Sequence, residues 1–245
     1  MITNVLLIRG IRDVLLTKDN NKGYLPKCRS SVIQPIFATA NMAIRKEVFG
    51  EIGLFDVNCR TGEDVDLSVR LSKTKWDLYF EPKAVVKHKH RSTLKELLKQ
   101  WYGYGKNHPY IFKKHNDKCI KIYYLTPNKD MGWSSIHISR FLGLRVPLHT
   151  LIFITPFHMF NLFFALLAIS FVLKLYWLAV ILSMGVAYFG KRIFFSNLKT
   201  GKKDKEILYS LIRYIVNWTY VIGAFLGGLK KGVFYIEATR EQIPM

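Results

Sequence analysis

The chain is poor in cysteine and poor in acid. Its three cysteines, Cys28, Cys59 and Cys119, are odd in number and far apart. No CxxC or Cys/His spacing of a zinc site occurs, and a disulfide framework is excluded as the basis of the fold. A reduced, cytosol-facing location fits this usage. Acidic residues number 17 against 37 Lys and Arg, a net charge of +20 over 245 residues. Such a basic excess suits nucleic acid, anionic lipid or phosphorylated small molecules. No DNA- or RNA-binding signature accompanies it, which sets nucleic acid aside. A secretory leader is also lacking: the apolar start "MITNVLLIRGIRDVLL" is interrupted by Arg9, Arg12 and Asp13 and has no small-residue cleavage site.

What is present is unevenly spread. Charges dominate up to about Arg145 and apolar runs dominate after it, so the shift at Leu144 to His149 marks an expected boundary. From Pro147 to Leu173 the only ionisable side chains are His149 and His158. That run exceeds the ~20 residues needed to cross a hydrocarbon core. A second run, "LYWLAVILSMGVAYFG", ends at Lys191 and Arg192. Together they read as a helical hairpin over about 148–192 with a tight turn near Lys174. One long span followed by a shorter interfacial helix is the alternative. Basic residues at Arg140, Arg145 and from Lys191 to Lys205 place both ends of the hairpin on the cytoplasmic side. The expectation is an integral inner- or plasma-membrane protein with its polar half in the cytosol, in contact with membrane lipids. A third stretch, about 207–229, contains Arg213 and Asn217 and reads as either an amphipathic interfacial helix or a transmembrane one. Its "GAFLGGLKKG" end offers small residues for packing against the hairpin.

In the polar half the local signals alternate quickly. "PIFATANMAI" reads as a strand and a small-residue turn passing close to a ligand. "RKEVFGEIGLF" is a short helix ended at Gly53. "DVNCRTGEDVDLSVRLSKT" gives a helix starting at Thr61 or Gly62, and "WDLYFEPKAVVKHKH" two short strands broken at Glu81-Pro82. "STLKELLKQWYGYG" opens on a Ser/Thr cap and ends in glycines. Glu63, Asp64 and Asp66 fall in the first turn of the second helix. Acids there meet free N–H groups and the positive end of the dipole, which accounts for them without any chemistry.

Four stretches in this order, "TANMAIRKEVFGEIGLFD", "GEDVDLSVRL", "YFEPKAVVKH" and "HRSTLKELLKQWYGYG", resemble the membrane-associated family 2 glycosyltransferases. The resemblance runs from about Gln34 to Gly105 and continues into a membrane region of similar layout. It implies an α/β fold: a partial GT-A-like acceptor-side subdomain followed by an α-helical membrane region. The implied division is an N-terminal remnant over 1–33, the acceptor-side half over 34–146, and the membrane region over 147–245. The implied reaction is an inverting transfer of a sugar from a nucleotide-sugar donor to a lipid-linked or cell-envelope glycan acceptor. Asp64 is then the general base that takes the acceptor's hydroxyl proton, with Glu63 and Asp66 in support, pairing with Arg60 or Arg70. Since a helix start lowers basicity, a nearby apolar surface would have to compensate at Asp64. The resemblance makes His88, and after it His90, the candidate ligand of a divalent Mg²⁺ or Mn²⁺ ion or of the diphosphate. It places Asn41, Arg91, Gln100 and Trp101 near donor or acceptor. Gly103 stands where processive members carry an arginine, which favours transfer of a single sugar.

The chain departs from the family pattern upstream. Only about forty residues precede the matching region, and they hold neither a glycine-rich turn nor an acidic pair. Asp64-x-Asp66 lies at the base motif rather than at the donor motif, so it is not assigned as the metal pair. The expectation is a truncated chain, inactive alone, that works with a separate chain carrying the nucleotide-binding half. The alternative is a non-catalytic, membrane-anchored binding or scaffolding protein that keeps a transferase remnant.

Overall fold

The computed structural model describes residues 24–25, 39–76, 78–79, 86, 91–125, 133–195 and 203–238. Most of the expected N-terminal remnant, and both His88 and His90, lie outside the described residues. Tyr24–Leu25 (β1) pairs antiparallel with Leu78–Tyr79 (β2). Between them come a 3-10 turn over Thr39–Asn41 and two helices, Lys46–Ile52 (α1) and Glu63–Ser72 (α2). Gly53 ends α1 at φ 76° with its N–H on the Phe49 carbonyl, as the sequence led us to expect.

The next helix, Leu94–His115 (α3), begins on Thr93, whose hydroxyl accepts the Glu96 N–H. It does not stop at Gly103 and Gly105, where the glycines predicted an end, but runs ten residues further and through Pro109. The reason is tertiary. Gly105 faces Lys203–Lys231 (α7), which crosses α3 with the two backbones in near contact, while Gly103 lies beside the Thr61 side chain. A Cβ on Gly105 would lie 2.2 Å from the Tyr220 carbonyl oxygen, and one on Gly227 would lie 2.2 Å from that of Lys106. The small residues of "GAFLGGLKKG" therefore pack against α3, not against the hairpin.

A four-stranded sheet forms the second part of the framework. It comprises Ile120–Leu125 (β3), Trp133–His137 (β4), His149–Phe153 (β5) and Val233–Ile236 (β6), in the order β4-β3-β5-β6. A four-residue helix, Ile138–Phe141 (α4), follows β4. β3–β4 is antiparallel, whereas β3–β5 and β5–β6 are parallel. The apolar run from Pro147 thus opens as a strand, and only Pro156–Val172 (α5) of it is helix. Nor is the composition shift at Leu144–His149 a structural divide, because β3 before it pairs with β5 after it. Phe112, Tyr123, Phe153, Tyr220 and Tyr235 meet in a buried core between this sheet, α3 and α7.

Helix α5 and Tyr176–Phe194 (α6) form the expected hairpin, turning at Lys174 with φ 57°. Phe163 and Phe189 stack across it at 5.6 Å. The outer surface is apolar: Val172 is 80% exposed, Trp177 68% and Met184 69%. By length and composition α6 is a candidate membrane-spanning helix, while α5 is shorter, at 17 residues. The start of α7 is tied to this hairpin through Tyr214, whose hydroxyl donates to Asn161 Oδ1 at 2.6 Å, and through Ser210, which donates to the Phe194 carbonyl.

Candidate active site

The helix that carries the three acids starts where the sequence places it. Gly62 is its N-cap in the left-handed region, at φ 80°, and a Cβ there would lie 2.7 Å from Ile111 Cδ1. The positive φ calls for glycine, and the Ile111 methyl would have to give way to any side chain there. Since Gly62 has no side chain to cap with, the turn is anchored by its neighbour. The Thr61 hydroxyl donates to the Gly103 carbonyl of α3 at 3.0 Å and accepts from Asn107 Nδ2.

The three carboxylates then face different surroundings. Asp66 is wholly buried. Its Oδ2 takes Arg70 at 2.9 Å, and its Oδ1 takes Lys114 and His115, each at 2.8 Å. Burial alone would push this carboxyl up, but the bonds from Lys114, His115 and Arg70 outweigh burial and hold it below the usual carboxylate range. Arg70 continues to the carbonyls of Ile52, Gly53 and Leu54, which fixes the end of α1 against α2. Lys114 also bonds Asp56, as does the Tyr110 hydroxyl, both at 2.7 Å, and these hold Asp56 well below its ordinary value. Asp66 is therefore the hub of a structural ion-pair network. With both oxygens already engaged by cations it does not fit a divalent ion.

Asp64 is different. It is half-buried, and its carboxylate accepts local bonds from the Val65 N–H, at 2.8 Å to Oδ1, and from its own N–H. Burial pushes its carboxyl above the ordinary value, and the neighbouring Glu63 charge adds to this. Glu63 lines a groove of about 470 Å³ together with Thr39, Met42, Ile44, Phe49 and Phe55. The turn that carries Asn41 contributes Thr39 to that groove, and Asn41 itself is exposed.

The other sequence candidates fall elsewhere. Trp101 packs on the core against Tyr104 and Tyr220, at ring distances of 5.5 and 6.3 Å. Gln100 Nε2 donates to the Tyr104 hydroxyl at 2.7 Å, and Arg91 is exposed ahead of α3. Among the described residues no group of three or more His, Cys, Asp or Glu could hold a metal ion. Sequence reasoning missed Lys114, His115, Tyr110 and Asn107. All four lie on α3 beyond its expected end, at the spacing of one helix face.

This small α/β unit thus sets the helix start that carries the three acids beside a groove to which Glu63 contributes. The chain belongs to the family described as Glycosyl transferase family group 2, whose model matches residues 9–191. Two relatives are the pre-mycofactocin glycosyltransferases of Mycobacterium tuberculosis strains CDC 1551 / Oshkosh and ATCC 25618 / H37Rv. Each is 30% identical over 105 residues, 43% of this chain. The matched stretch spans 22% of the length of these relatives. No solved structure matches the chain.

Proposed function

We propose that this chain forms the acceptor side of an inverting sugar transfer on a GT-A arrangement, with Asp64 as general base. The observation that supports it best is the contrast between two neighbouring acids. Asp66 is neutralised by Arg70 and Lys114 and bonded by His115, while Asp64 stays desolvated and basic. A base opposite a departing diphosphate needs a carboxylate that is ionised at work yet still attracts a proton. Burial supplies that balance here.

In this reading the acceptor lies in the groove between the Thr39–Asn41 turn and Phe55. Its hydroxyl faces Asp64, and Glu63 orients it. Asn41, Arg91 and Gln100 serve the donor–acceptor boundary, and Trp101 supports α3 from the core. The nucleotide-sugar arrives on a nucleotide-binding half, in the same polypeptide or in a separate chain. A Mg²⁺ or Mn²⁺ ion, with His88 and then His90 as candidate ligand, would neutralise the leaving diphosphate. The hairpin α5–α6 lies in the membrane with both ends cytoplasmic. That geometry suits a lipid-linked or cell-envelope acceptor delivered at the bilayer surface.

The test is the stereochemistry of the product. Membranes holding the chain and a nucleotide-binding half are incubated with α-linked nucleotide sugars, and the new linkage is read by NMR. A β linkage is expected. An α linkage would contradict inversion, and no transfer from any donor would favour the scaffolding alternative.

A further inference from the structure

Helix α7 has two faces of opposite character. Its inner face is small and buried: Tyr220, Gly223, Ala224 and Gly227 lie against α3. A Cβ on Gly223 would lie 2.5 Å from the Tyr102 carbonyl oxygen. Its outer face is apolar and exposed. Leu211, Ile215, Trp218, Ile222, Phe225 and Leu229 follow one another at alternating steps of four and three residues, each between 42% and 62% exposed. At 3.6 residues per turn they form one stripe about 80° wide, on the side away from the glycines. Arg213, the charged residue within this length, lies off the stripe and donates to Ser210 Oγ at 3.0 Å.

The surroundings of α7 decide what can cover that stripe. From Tyr220 to Gly227 its inner face is fastened along α3, which carries the exposed Lys95, Lys99, Lys106 and Lys113. A crossing of the bilayer would draw those ammonium groups into hydrocarbon, so α7 does not span. It meets the hairpin at the hairpin's base. Phe157, in the first turn of α5, contacts Tyr214 and Trp218 at ring distances of 5.3 and 5.5 Å. Phe194, the last residue of α6, contacts Tyr214 at 5.5 Å. The stripe therefore continues the exposed apolar surface of the hairpin. Lys230 and Lys231, both exposed, stand at its far end, and Trp218 is a side chain typical of a membrane–water boundary.

We propose that α7 lies flat in the cytoplasmic leaflet, with its stripe in the acyl boundary and Lys230 and Lys231 among anionic headgroups. This placement rests on the membrane position of the hairpin given under the proposed function. It also sets the height of the acids. Gly105 faces α7, whereas Gly103 and Asn107, on the opposite side of α3, hold Thr61 at the start of α2. The turn that carries Asp64 then stands two helix layers above the acyl boundary. An acceptor anchored in the bilayer must present its hydroxyl beyond the headgroups.

The experiment places a nitroxide spin label on the full chain, in vesicles containing phosphatidylglycerol. Single cysteines replace Leu211, Ile222 or Leu229 on a Cys28→Ser background, Cys59 and Cys119 being buried. Collisions with oxygen, which concentrates in lipid, are compared with those of a water-soluble nickel chelate, and Lys99→Cys serves as the water-exposed reference. All three stripe labels are expected to favour oxygen and to share one shallow depth, about 5–10 Å below the headgroups. A depth that runs through the bilayer from Leu211 to Leu229 would overturn the proposal, as would nickel access equal to that of the reference. Shielding from both reagents would mean that a protein or a second copy covers the face, and would overturn it too. Should one label prevent folding, the other two positions still decide. A label at Met184 of α6 reports the hairpin separately. Met184 in lipid with the stripe in water sinks only the proposal for α7. Met184 in water with the stripe in lipid removes the hairpin crossing and leaves α7 on the membrane.

Discussion

Asp64 and Asp66 lie two positions apart on one helix and respond to pH in opposite senses. Asp64 has its carboxyl raised by burial, so its ionised form costs stability above that range and the cost vanishes on acidification. Asp64→Asn should therefore raise the melting temperature at pH 7.5 by roughly a few degrees, the gain closing as pH falls into the carboxylate range. Thermal melts at several pH values would check this, and an unchanged or lowered melting point at pH 7.5 would contradict it. Asp66 is lowered, so its contribution is present above the unfolded carboxylate range and is lost as pH falls. Asp66→Asn leaves Arg70 without its charge partner and Lys114 with Asp56 alone. The expected loss is about 3 kcal/mol in denaturant unfolding. A loss below about 1 kcal/mol would show that the network is incidental.

At the scale of elements, the contact between α3 and α7 carries the architecture. Gly227→Leu would drive a side chain into the Lys106 backbone, which cannot move without displacing α3. We expect a drop of at least about 2 kcal/mol in stability. Loss of the disulfide between cysteines engineered across the two helices would accompany it, read on a reducing gel. This contact also explains which elements were legible in the sequence. The short helix ended by Gly53 and the helix opened by Gly62 follow from local cap chemistry, and both stand where the motifs place them. The end of α3 was not legible. Gly103 and Gly105 read locally as a stop, but the backbone of α7 lies against Gly105 and the helix continues through both. The four residues that hold the Asp66 network and the base turn lie past that apparent stop. Strand β5 was hidden for a related reason. A strand with parallel neighbours on both sides need not alternate polar and apolar residues, and Leu151–Phe153 ahead of an apolar helix cannot be told from its first turns.

For the whole molecule, the sheet and α7 join the polar half to the apolar hairpin, so neither part is an independent unit. The composition shift tracks solvent, not fold. It separates residues facing water from residues whose exposed surface is apolar, such as Trp177 and Met184. In the crossing proposed above, with both hairpin ends cytoplasmic, Lys174 at the turn should reach the far headgroups. Lys174→Cys on a Cys28→Ser background in intact cells should react with an impermeant maleimide added outside, since Cys59 and Cys119 are buried. Labelling that required permeabilised cells would contradict the crossing.

The central claim is that Asp64 takes the acceptor's proton. Its most direct measurement is the single-turnover rate of sugar transfer by Asp64→Asn in membranes that hold the nucleotide-binding half, with donor binding measured alongside. The account predicts a rate lower by about 10²- to 10⁴-fold with donor affinity unchanged. A rate within a few-fold of wild type would contradict it.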